Sequence, residues 1–174
     1  MQELEIESIR VRQETQQRAV VLRVKDSNLF LPIFVGHFEV EAIRLKLMDI
    51  EVQRPMTHDL LDSIIYNLGA TVDKIIVSEL KEDTFYAKII VNYDSRTFEI
   101  DARPSDAIAL AVRSGASIFA EESVLEKAGV NIEEKDLDQT TDDGISILDD
   151  EAVNLSAFTE FIDSLDLENL GESR

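Results

Sequence analysis

The sequence predicts an α+β domain followed by an acidic extension. Three features carry that expectation. Apolar residues alternate with period two over much of residues 1–35 and 72–102, runs at helical spacing lie between and after those stretches, and the composition changes sharply beyond Gly129. With 174 residues, 44% of them hydrophobic and 30% charged, the chain has a globular composition. It is long enough to bury a core without staples.

Each element follows from its local pattern. Leu4 and Ile6 alternate with Glu3, Glu5 and Glu7, and the phase shifts through Ser8 and Ile9 to Val11, which predicts a first strand with a bulge. Val20, Leu22 and Val24 mark a second strand. Asp26-Ser27-Asn28 has turn chemistry, and FLPIFV reads as a buried strand ended by Gly36, although Pro32 argues against a central place in the sheet. Val40, Ile43, Leu47 and Ile50 predict a helix over 37–50. A second helix is predicted over 58–68, with Thr57 as N-cap, Leu61, Ile64, Ile65 and Leu68 as its apolar stripe and Gly69 just past its end. Three strands in meander form, 72–80, 84–93 and 96–102, come next, and Phe30, Phe34, Phe85 and Phe98 are expected in the core. SDAIALAVRSG is an alanine-rich helix entered through Arg103-Pro104. A SIFA strand and a small helix ending at Gly129 complete the body.

The body is therefore placed at residues 1–130. Residues 131–174 read as an acidic linker leading to LSAFTEFIDSL, where Leu155, Phe158, Phe161, Ile162 and Leu165 fall on one side of a helix that needs something apolar to pack on. The net charge of −19 is concentrated at this end, since residues 121–174 carry 17 Asp and Glu against 3 Lys and Arg. An acidic chain argues against tight sequence-independent binding of nucleic acid, but the segregation leaves the body free to present a local basic face. Cysteine is absent, which excludes disulfides, thiolate nucleophiles and cysteine-based zinc sites. The N-terminus lacks the pattern of a signal peptide, and no apolar run approaches the ~20 residues of a membrane span. A cytoplasmic protein without a membrane partner is expected.

Two helix entries could carry chemistry. One is Arg54-Pro55-Met56-Thr57-His58-Asp59, the other Arg103-Pro104-Ser105-Asp106, and each has Arg-Pro, a hydroxyl residue and an Asp in the first turn. Capping explains the Pro, the hydroxyl and the Asp. It does not require the arginines or His58. Helix N-termini and arginines suit phosphate. Asp59, Asp101 and Asp106 could hold Mg²⁺ or Mn²⁺, and His58 could move a proton. The constellation suits phosphodiester hydrolysis. Glu41 and Arg44, three apart on a helix, are by default a surface ion pair and alternatively line the same cleft.

LPIFVGHFEVEAIRLKL, RPMTHDLLDSII and FEIDARPSDAIALAVR together resemble the bifunctional nuclease domain family over residues 4–130. The resemblance implies a compact α+β fold with a mixed, mainly antiparallel sheet, commonly a homodimer or higher homo-oligomer. It also implies nuclease activity on DNA and RNA. The matching signature positions are Glu41, Arg44, Arg54, Thr57, His58, Asp59, Asp101, Arg103, Ser105 and Asp106. From their chemistry, His58, Asp59, Asp101 and Asp106 are the expected catalytic groups, and Arg44, Arg54, Thr57, Arg103 and Ser105 are expected to bind substrate. Glu41 joins Asp59, Asp101 and Asp106 as an expected metal ligand. The rival expectation is a non-enzymatic oligomeric or regulatory module whose Arg-Pro corners form a subunit interface.

Overall fold

The computed structural model describes residues 1–11, 16–131 and 145–146, so the predicted helix over 155–165 lies outside the described residues. β1 (Gln2–Val11), β2 (Arg18–Val24) and β3 (Leu29–Val35) precede two helices, α1 (His37–Leu47) and α2 (Thr57–Asn67). The meander follows as β4 (Thr71–Lys81), β5 (Thr84–Tyr93) and β6 (Arg96–Ala102). After it come α3 (Pro104–Ser114), β7 (Ser117–Ala120), α4 (Glu122–Ala128) and two short strands, β8 (Val130–Asn131) and β9 (Ile145–Ser146). The last two fall in or beside the stretch read as linker.

One sheet runs β6-β5-β4-β7-β1-β2-β3-β8, with β9 beside β1. The β4–β7 and β1–β9 pairs are parallel and the rest antiparallel, so the sheet is mixed and mainly antiparallel. The bulge in β1 falls between Ile6 and Ser8, where the alternation changes phase. It returns Ile9 to the core side opposite Val20. β8 covers β3 only at Leu29 and Phe30. Pro32 therefore sits where β3 has a single neighbour, the edge position that proline tolerates.

The core is built around α3. Every residue from Ala107 to Ala111 is buried, and four of the five sit in the stretch of small and β-branched side chains that lets strands come close. α3 touches β3, β4, β5 and β7, strands drawn from both halves of the sheet order. The sheet thus curls around it, and α1 and α2 flank it on the remaining side.

Four expectations are corrected. The first helix ends at Leu47, not Ile50, because Asp49 turns into the left-handed region at φ 54° and the chain closes with Asp49 N–H to Lys46 and Ile50 N–H to Leu45. Thr57 is the first helical residue of α2, and Met56 takes the N-cap position. Of the predicted α2 stripe only Ile65 packs against the core, while Leu61, Ile64 and Leu68 are exposed. Phe98 is likewise exposed on the outermost strand, and Phe34 and Phe85 are half-buried.

Gly69 ends α2 as anticipated. Its φ is +78°, its N–H bonds Tyr66, and the Ala70 N–H bonds Ile65. Nothing lies within 4 Å of where a Cβ would stand, so Gly69→Ala is expected to cost only the left-handed backbone penalty. That is about 1 kcal/mol by urea denaturation, with an unchanged m-value.

Candidate functional site

The site begins with a buried charge. Arg113, in the last turn of α3, has a side chain only 4% exposed. Its Nε donates to Asp59 Oδ1 at 2.6 Å, Nη2 to the Ala42 carbonyl of α1 at 3.1 Å and Nη1 to the Ala109 carbonyl of α3 at 2.8 Å. The other Asp59 oxygen accepts the Met56 N–H at 2.8 Å. One guanidinium thus joins α1, α2 and α3. Burial favours the protonated form of Asp59, but the Met56 amide and the Arg113 guanidinium outweigh it and hold the carboxyl below its ordinary value.

His58 precedes Asp59 and is buried, with Nε2 3.1 Å from Asp106 Oδ1. A carboxylate has no proton to give, so Nε2 carries the hydrogen and Nδ1 is left as the acceptor of the neutral ring. Burial pushes Asp106 up, and the hydrogen bonds from Arg103 and His58 more than reverse it, so the carboxyl lies below the ordinary aspartate value. Arg103 grips Asp106 through Nε at 2.7 Å and Nη2 at 3.0 Å, and reaches Glu39 through Nη1 at 3.0 Å. Three of its five N–H groups are engaged. Two remain on a side chain that is 66% exposed.

These residues surround an open hollow of about 240 Å³, lined by Phe38, Glu39, Thr57, His58, Arg103 and Asp106. Both helix entries therefore contribute to one cavity. A second hollow, of about 310 Å³, lies on the other side of Arg103 and takes in Ser105 and the end of β3.

Not every expected residue arrives there. Arg54 is exposed and makes no hydrogen bond or ion pair with a described residue. Asp59 is turned inward to Arg113. Asp101 stands opposite Lys88, one residue out of phase with Ile100 and Ala102, which face Ile89 and Ala87 on the helix side of the sheet. Its side chain is therefore on the far face from His58. Glu41 and Arg44 hold each other through two bonds of 3.0 and 2.8 Å, the simple ion pair, and Arg44 holds the Glu41 carboxyl below its usual range.

Among the described residues, no three His, Asp or Glu side chains are grouped so as to hold a metal ion. Glu41, Asp59, Asp101 and Asp106 do not converge, and three of the four are engaged by arginine. As placed among the described residues, these four carboxylates do not form a shared site for Mg²⁺ or Mn²⁺.

Glu39 and Arg113 were missed by sequence reasoning. Arg113 left a signal, as the lone cation in AIALAVRSG, an apolar run that could not leave its charge without a partner.

Fold and site together define a small α+β domain with an Asp–His–Arg cluster at paired helix entries. A family model for the bifunctional nuclease domain matches residues 20–133, and the chain belongs to that family. An uncharacterized protein of Mycobacterium tuberculosis, Rv1829, is 38% identical over 166 residues, 95% of each chain. Bifunctional nuclease 1 of Oryza sativa subsp. indica is 25% identical over 128 residues, 71% of this chain and 39% of its own length. Bifunctional nuclease 1 of Arabidopsis thaliana is 27% identical over 99 residues, 55% of this chain and 30% of its own. Among the described residues no helix is long and apolar enough to cross a membrane.

Removing Arg113 strands the Asp59 charge, so Arg113→Met is expected to destabilise the fold by about 3 kcal/mol in urea denaturation. The lowered Asp59 carboxyl sets the sign of the pH effect. Its stabilising contribution is complete above the unfolded value of 3.8 and is lost as pH falls through the lower folded value. Asp59→Asn should therefore flatten the acid limb of a stability–pH curve in that window, at the cost of lower stability near neutrality.

Proposed function

We propose that this chain is a nuclease hydrolysing phosphodiester bonds of DNA and RNA with little sequence preference, and that His58, Asp106 and Arg103 carry the reaction. The observation that supports this most is the sharing of Asp106. One ionised carboxylate orients the His58 ring and anchors Arg103 at the edge of an open hollow. Membership of the bifunctional nuclease family and likeness to the plant bifunctional nucleases supply the substrate class.

In this reading a phosphodiester lies in the hollow, with its non-bridging oxygens on the two free N–H groups of Arg103. Asp106 fixes the Nε2–H tautomer, and Nδ1 takes a proton from the attacking water as the new P–O bond forms. The same proton then goes to the leaving oxygen as the old P–O bond breaks, so the ring ends as it began. Arg54, exposed and without a partner among the described residues, meets the backbone further along the strand. Recognition rests on phosphate, which carries no sequence information. Asp59 and Glu41 have no chemical part in this scheme.

The test is cleavage of labelled single- and double-stranded DNA and RNA by the full chain, with Mg²⁺, with Mn²⁺ and with chelator. His58→Ala and Asp106→Asn are each expected to lower kcat at least about 10²-fold. Arg54→Ala should raise KM several-fold at nearly constant kcat. Full activity in Asp106→Asn would remove the cluster from the mechanism, and parallel loss of activity and folding would reduce it to a helix-entry clamp.

A further inference from the structure

We propose that the exposed apolar stripe of α2 is the seat of this chain's own C-terminal segment, residues 155–165. Leu61, Ile64 and Leu68 recur at i, i+3 and i+7 and are 36, 47 and 68% exposed. Thr57, one turn before Leu61, lines the hollow together with Phe38, itself exposed. The stripe therefore runs from the mouth of the hollow along the length of α2, on a side other than that of Ile65, the apolar residue by which the helix packs on the core cluster.

The same chain holds a matching element. Leu155, Phe158, Ile162 and Leu165 recur at i, i+3, i+7 and i+10. This stretch has eleven residues, as α2 has, and if helical would match the roughly 16 Å length of α2.

The tether reaches. β9 runs parallel to β1, with Ile145 opposite Ile9 and Ser146 opposite Arg10. The chain thus leaves Ser146 toward the Val11 end of β1. Val11 pairs Arg18, and Arg18 pairs Val35, so this is the end of the sheet where β3 passes into α1. β1 and β3 are two strand spacings apart, about 10 Å. Eight residues separate Ser146 from Leu155, enough to span about 30 Å when extended. α1, which carries Phe38, begins directly after β3 at that end of the sheet.

Charge selects this occupant over a second copy. Asp149, Asp150 and Glu151 precede Leu155. Near the start of α2 stand Arg54, which has no partner among the described residues, and Lys46, whose charge is felt at Asp59. Pairing α2 with another α2 would instead bring together two chains of net charge −19.

The absence of cysteine makes the test direct. Ile64→Cys is combined in the full chain with Phe158→Cys or Ile162→Cys, and Tyr66→Cys, on a different side of α2, replaces Ile64→Cys as control. On mild oxidation an Ile64→Cys pair is expected to close within one chain at least tenfold faster than the control, independently of protein concentration. Equal rates would overturn the proposal, as would bonds formed only between chains, which assign the stripe to a second copy. Independently, Ile64→Glu is expected to speed proteolysis within residues 147–170 several-fold without altering the melting of the body. Unchanged cleavage would also overturn it. Neither readout involves nuclease activity.

Discussion

A guanidinium sealed among three helices governs how this domain is put together. Taking the Arg113 charge out of water costs several kcal/mol, and only close pairing with good geometry offsets it. Asp59 and the carbonyls of Ala42 and Ala109 supply that pairing. Because these partners belong to α2, α1 and α3, the charge is satisfied in one mutual arrangement of the helices. Alanine packing around α3 would tolerate sliding. The fixed positions of hydrogen-bond acceptors do not.

The polar cluster at the hollow inherits its geometry from that constraint. Asp59 and His58 are adjacent in the first turn of α2, so fixing the first directs the second toward α3. Asp106 then meets His58 and Arg103 together, and both helix entries open on the same cavity. The residues that do the pairing and those that face the cavity alternate along a few positions of chain. Helices hold Glu39, His58 and Asp106, and Arg103 sits at the N-cap between β6 and α3.

Much of this was legible in the sequence, and the failures share a cause. Strands β1, β2, β5 and β6 follow from alternation, down to the phase shift between Ile6 and Ser8, and Gly69 and Gly115 mark the ends of α2 and α3 because those ends need positive φ. Local capping logic put Asp59 at the start of α2 correctly but read it as an acid free for chemistry, since its partner lies 54 residues away. Asp101 was placed with the site because it precedes Arg103 by two. The register with β5 puts its side chain on the face away from the helices. Amphipathic spacing identified the α2 stripe but is silent on what covers it. Periodicity reports that a face is apolar, and only tertiary contacts report whether it is buried.

The far margin of the sheet gives Asp101 a different part to play. β6 has no neighbour beyond it among the described residues, so its outward backbone donors and acceptors are a template onto which another polypeptide could zip. Phe98 and Ile100 are exposed there and would favour such growth. Arg96, Glu99 and Asp101 interrupt them with charge, the usual guard against fibrillar stacking at an open margin. Asp101, expected from the sequence to be a catalytic acid, is one of the charges that line this margin.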